Sequence, residues 1–206
     1  MKLLVFVCSC NKNAWKVEKQ QEWLRTIRLP YLIFGGNLDQ DREYRYWPPF
    51  LSVRYADHYE KMPGKLIKAL AFVADWEFDY LLKVDDDVFL HTQEINQIDL
   101  TADYAGVVHE AATISRTWHY GKVHDPALDN VLYKKEVKHN YCGGGIGYFL
   151  SRRAFDVLLG HADSAEADSW VFEDIYVGDV LGRNGIPATP FDMKPLTIRE
   201  WVPAQP

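Results

Sequence analysis

The segment Tyr80-Leu81-Leu82-Lys83-Val84 runs straight into Asp85-Asp86-Asp87 and turns apolar again at Val88-Phe89-Leu90. A short, nearly continuous apolar run of this kind reads as a strand covered on both faces. Carboxylates at the carboxyl end of such a strand stand where open α/β sheets bind their ligands. Adjacent carboxylates repel one another by roughly 4 kcal/mol at 4 Å and an effective dielectric of about 20, so a partly buried triplet calls for protonation, a basic partner or a metal. A solvated acidic turn after an edge strand is the competing reading. Strand alternation would put Asp85 and Asp87 on one face and Asp86 on the other.

The flanking chain supplies a sheet for this strand. Leu3 to Val7 is a continuous apolar run, followed by the polar loop Ser9 to Asn13 and a helical stretch from about Ala14 to Ile27, whose inner face carries Val17, Leu24 and Ile27. Tyr31 to Phe34, ahead of Gly35-Gly36, reads as a second strand, and strand, helix, strand opens a parallel α/β sheet. A polar, aromatic excursion from Asn37 to Pro49 precedes a third strand at Phe50 to Val53. Pro63 and Gly64 introduce a helix over Lys65 to Ala74, with Leu66, Ala69, Leu70 and Val73 at helical spacing.

Downstream, Tyr104 to Val108 reads as a further strand, and His109 to His139, with four histidines and little periodicity, as a long mobile loop. A glycine-rich turn at Gly143, Gly144 and Gly145 leads into a strand ending at Leu150, and Ser151 caps a helix from Arg152 to about Leu159. Glu173 and Asp174 open another helix, closed by the Asn184-Gly185 signal. The proline-bearing last twenty residues read as an extended tail laid over the domain. With no internal repeat or linker, residues 1–206 form a single domain.

Composition narrows the function classes. Hydrophobic residues at 48% and charged residues at 25% are globular values, and a net charge of -6 argues against a nucleic-acid surface. Seven Trp and 12 Tyr supply amphipathic rings suited to both saccharide stacking and core packing. Cys8, Cys10 and Cys142 form no C-x-x-C pair, which suggests reduced thiols and a cytoplasmic setting. The apolar start at Leu3 is too short for a signal peptide, and no run reaches the roughly 18 residues that span a bilayer.

Three blocks carry a resemblance to a known family. Lys83-Val84-Asp85-Asp86-Asp87-Val88-Phe89, then Tyr141-Cys142-Gly143-Gly144-Gly145 with Tyr148-Phe149-Leu150-Ser151-Arg152, then Glu173-Asp174-Ile175-Tyr176-Val177-Gly178 resemble the β-1,3-galactosyltransferases and Fringe-like glycosyltransferases in order and separation. Asp57, Tyr59 and Lys65 match a weaker upstream block. The resemblance implies a GT-A-like, Rossmann-like α/β fold with a mixed, mostly parallel sheet flanked by helices. It also implies a UDP-sugar donor, a saccharide or glycoconjugate acceptor, inversion at the anomeric carbon and a Mn2+ or Mg2+ ion. Residues 1–108 would form the nucleotide-sugar half and 109–206 the acceptor and catalytic half.

By the same resemblance Asp87, with Asp85, holds the metal. Asp85 and Asp86 contact the nucleoside or sugar, the glycines 143 to 145 wall the sugar pocket, with a tight structural corner as the competing reading, and Asp57 and Lys65 join the donor site. Asp174 is the base, supported by Glu173. The chemistry is consistent: a diphosphate leaving group needs a Lewis acid, and an attacking hydroxyl needs a base on the opposite face. For Lys65 a solvated helix position competes, and for the pair Glu173-Asp174 a simple complement to the helix dipole competes. His109, His119, His124 and His139 read mostly as surface residues, with one available to an acceptor.

Two features depart from the family pattern. No histidine follows His161, where a late one commonly completes metal coordination, so water or a carboxylate such as Asp192 would take its place. The amino-terminal anchor of the animal members is also missing, which fits a soluble microbial or viral enzyme, with peripheral membrane association as a variant. A haloacid-dehalogenase-type phosphatase is disfavoured because Phe89 stands where that motif wants Thr or Val. A non-catalytic nucleotide-sugar or glycan binding module stays open.

Overall fold

The computed structural model describes residues 1–95 and 98–199. The first half comprises β1 (Leu3–Cys8), α1 (Ala14–Ile27), β2 (Tyr31–Gly36), β3 (Tyr44–Trp47), β4 (Phe50–Val53), α2 (Met62–Phe72) and β5 (Tyr80–Asp85). Then follow β6 (Val88–Leu90), α3 (Thr92–Ile95), β7 (Tyr104–Gly106), β8 (Val108–His109), β9 (Thr113–Arg116), β10 (Tyr133–Glu136), β11 (Tyr141–Cys142) and β12 (Tyr148–Ser151). The chain continues through α4 (Arg152–His161), α5 (Ser164–Asp168), α6 (Glu173–Arg183), β13 (Thr189–Pro190) and β14 (Thr197–Arg199).

Eight strands form one sheet in the order β13-β7-β12-β5-β1-β2-β4-β3. The centre is parallel: β1 lies between β5 and β2, and β2 continues to β4. The continuous apolar runs become these central strands because both faces are covered, and all six residues of β1 are buried. Alternation divides them between two cores. Leu4, Phe6 and Leu81 face one cluster with α2, α4 and α6, while Leu3, Val5, Leu82 and Val84 face another with Leu24 and Ile27 of α1.

This register positions the triplet. Cys8 pairs with Asp85, so Ser9 and Asp86 leave adjacent parallel strands side by side at their carboxyl ends. Strand β12 runs antiparallel to β5, with Tyr148 opposite Lys83, which brings the preceding glycine turn to the same end. Ser151 caps α4 by accepting from the Ala154 N–H at 3.1 Å, and Gly185 closes α6 at φ +78°, as their sequence signals require.

Several expectations are corrected. The triplet is not a continuing strand, since β5 ends at Asp85 and the chain turns at Asp86 and Asp87. The 109–139 segment is not one mobile loop: β9 and β10 pair antiparallel, and the Glu60 carboxylate accepts from the backbone of His124 and Asp125. The excursion from Asn37 hides an edge strand, β3. The tail is partly sheet, with β13 against β7 and β14 against β6, while Pro203 and Pro206 lie outside the described residues. Among the described residues the three cysteines are free thiols, and no helix is long and apolar enough to cross a membrane.

Candidate active site

A cleft of about 1180 Å3 opens at the carboxyl ends of β1 and β5. It is lined by Asp85, Asp86 and Asp87, by Gly143, Gly144 and Gly145, by Glu173 and Asp174, and by Asp57 and Lys65. The structure thus gathers into one concavity every residue expected at the donor site, the metal and the base, although not the whole of each motif block. Asp192 is exposed, accepts from the Lys194 N–H at 3.0 Å in its own turn, and does not line the cleft.

The three carboxylates have separate surroundings. Asp86 is buried and accepts from the Ser9 hydroxyl at 2.8 Å, with the Lys16 ammonium 3.5 Å away. Burial pushes its carboxyl above the usual range, and Ser9 and Lys16 offset only part of that shift. Asp85 is half-buried and accepts from Lys83 at 2.7 Å. Asp87 is half-buried at the cleft wall. Gln20, fully buried on α1, donates to the carbonyls of Asp85 and Val88 and so ties the turn to the helix.

Lys83 is the hub that the sequence reading did not single out. It shares a strand face with Asp85, and α6 packs over that face, so the ammonium is 2% exposed. It donates to Asp85, to Glu173 at 2.5 Å and to the Gly144 carbonyl at 3.1 Å. Burial alone would depress its pKa, but the carboxylates of Asp85 and Glu173 outweigh that and hold it well above the usual value. Glu173 also accepts from the Tyr148 hydroxyl at 2.8 Å, and burial nonetheless pushes its carboxyl up against the pull of Lys83.

Asp174 is one residue further along the first turn of α6 and accepts from the Gly144 N–H at 3.2 Å. A side chain at position 144 would start 2.3 Å from Glu173 Oε1, so only glycine admits this approach. Lys65 is not a solvated helix residue. It is 1% exposed and donates to Asp57 and to the Ser9 carbonyl, both at 2.8 Å. Asp57 in turn accepts from the N–H groups of Gly36 and Asn11. The pair therefore braces the loops after β1 and β2 from beneath the cleft. His119 is buried, with Nε2 between the carbonyls of Leu128 and Val131, while His109 and His124 stand exposed at the cleft.

Carboxylate oxygens are the donor type that suits a hard divalent ion. Among the described residues no group of three or more His, Cys, Asp or Glu side chains converges to hold an ion alone. Asp85 and Asp87 offer half-buried carboxylate oxygens of that type at the cleft, Asp85 with one oxygen already engaged by Lys83.

A family model described as galactosyltransferase matches residues 14–192. Among solved structures the chain is similar to a glycosyltransferase involved in glycosylation of the major capsid of PBCV-1, at 12% identity and a TM-score of 0.52, covering 93% of this chain and 82% of that one. It is also similar to A197 from STIV, at 15% identity and a TM-score of 0.50, covering 98% of this chain and 87% of that one. No curated protein sequence gives a significant match. The architecture is thus GT-A-like: a single domain around a mixed, mostly parallel sheet.

Proposed function

Since the chain belongs to the galactosyltransferase family, we propose that it moves a hexose or N-acetylhexosamine, of the galactose type, from a UDP-sugar to a saccharide hydroxyl with inversion. The observation that carries this reading is the Lys83 bridge. One buried ammonium joins Asp85 of the triplet to Glu173, the neighbour of Asp174, so the donor carboxylates and the base belong to one constellation.

The residues divide the work accordingly. Asp174, held by the Gly144 N–H, takes the proton from the acceptor hydroxyl as it attacks. Glu173 keeps its place against Lys83 and Tyr148 and fixes the first turn of α6. Asp87 and Asp85 would hold Mn2+ or Mg2+, which when bound supplies Lewis acidity toward the leaving diphosphate. Asp86, seated on Ser9 and Lys16, shapes the donor side with the glycine turn, and Asp57 and Lys65 brace it. Residues 1–108 then furnish most of the donor side, and the later half supplies the base and the acceptor wall.

The test is calorimetry and UDP release with Mn2+ and a panel of UDP-sugars. Binding and turnover of at least one donor are expected, and Asp87→Ala should abolish the metal-dependent part of donor binding. A protein that neither binds nor hydrolyses nor transfers from any donor on the panel would sink the reading. Tight donor binding without UDP release under any condition would favour a non-catalytic binding module.

A further inference from the structure

On β9, Ile114 and Arg116 alternate onto the same face, Ile114 into the core and Arg116 at the wall of the cleft. The guanidinium lies over two rings, 5.4 Å from the centroid of Tyr141 and 5.3 Å from that of Phe172, and its Nη2 donates to the Tyr141 hydroxyl. Among the described residues Arg116 forms no ion pair with a carboxylate. Two ring faces thus fix the plane of a half-buried cation whose remaining N–H groups have no anionic partner among the described residues. Tyr133, its cross-strand partner on β10, has a buried hydroxyl oxygen with no hydrogen-bond partner among the described residues.

The place of this cation in the cleft decides what it serves. Phe172 is the N-cap of α6, two residues before Asp174, and Tyr141 leads into the glycine turn whose Gly144 N–H donates to Asp174. Arg116 therefore stands against the two elements that position Asp174. A planar guanidinium is matched in both shape and charge by an oxyanion that accepts two parallel hydrogen bonds. Trp118, two residues on, lines the cleft at 62% exposure with the Lys122 ammonium 3.9 Å from its ring centroid, and its other face is the one on which a sugar ring can stack.

We infer that Arg116 anchors an oxyanion on the acceptor, so that the acceptor is an acidic saccharide whose carboxylate meets the guanidinium while its ring lies against Trp118. A phosphate ester on the sugar shares this chemistry. The inference rests on the glycosyl-transfer reading above, because that reading places the acceptor beside Asp174.

The test uses the full chain with UDP and Mn2+, titrated with methyl β-glucuronide, methyl β-glucoside and glucose 6-phosphate and followed by calorimetry. The glucuronide is expected to bind at least about tenfold more tightly than the neutral glucoside, as a charge-assisted pair implies. In Arg116→Gln that advantage disappears while UDP affinity is retained. Glucose 6-phosphate binding above the glucuronide supports the oxyanion anchor and identifies it as a phosphate site. Equal affinity of the wild type for glucuronide and glucoside overturns the inference without recourse to any variant, as does an advantage that survives in Arg116→Gln. Loss of UDP affinity in Arg116→Gln also overturns it, by assigning the guanidinium to the donor diphosphate. A wild type that binds no UDP overturns the donor reading, and the acceptor inference with it.

Discussion

Lys83 stands where three separate stretches of chain meet. Its ammonium is out of contact with water and bonded to carboxylates from the triplet and from α6, and to a carbonyl of the glycine turn. Removing one partner from a buried ionic group leaves uncompensated charge, at a cost of about 3–5 kcal/mol. Lys83→Met should therefore lower the unfolding free energy from denaturant titration by that order, and adding Glu173→Gln should recover part of the loss. Strictly additive effects of the two changes would show that the pair is not coupled as the geometry implies. Lysine at this position had no visible role in the sequence, because its second carboxylate lies 90 residues downstream. Lys65 was obscured in the same way: nothing in a helical stretch of mixed polarity reveals that Asp57 and the Ser9 carbonyl will close over it.

At the scale of elements, α6 sets the position of both Glu173 and Asp174, and α5 helps to hold it. Arg183 near the end of α6 grips Glu166 of α5 through both guanidinium nitrogens at 2.8 Å. The hydrogen bond from Arg183 holds the Glu166 carboxyl below its usual range. The folded value is depressed, so the stabilisation is complete above the unfolded carboxyl pKa and is lost as pH falls through the folded one. Partial exposure of both groups keeps it below about 1 kcal/mol. Thermal melts should show Arg183→Ala slightly less stable than wild type at pH 7, with the gap closing in acid. A gap that widened on acidification would contradict the assignment.

Elements differ in how far they could be read in advance. The strands at Leu3 and Tyr80 and the caps at Ser151 and Gly185 were legible because burial on both faces and terminal chemistry write directly into local sequence. The β9–β10 hairpin was not, since Thr113, Ser115 and Lys134 face solvent and dilute its alternation within a long irregular segment. The alternation assigned to Asp85, Asp86 and Asp87 failed for a related reason. A strand period holds only while the ladder continues, and here Gln20 ties a turn in its place.

Across the whole molecule, the parallel register of β1, β5 and β2 aims their carboxyl ends at one cleft, and the antiparallel return of β12 delivers the glycine turn to it. Motifs separated by nearly ninety residues of chain thus converge, which sequence order could suggest but not establish. The cleft gathers the carboxylates of Asp85, Asp86, Asp87, Glu173 and Asp174 together with the cations Lys16, Lys65, Lys83 and Arg116.

The central claim is that Asp174 serves as the base in glycosyl transfer, and the rate of acceptor-dependent UDP release by Asp174→Asn, measured under saturating donor, a saccharide acceptor and Mn2+ with donor affinity determined in parallel, tests it most directly. The account predicts unchanged donor affinity and a loss of turnover of roughly 10^2-fold to 10^4-fold. Full turnover by Asp174→Asn would contradict it.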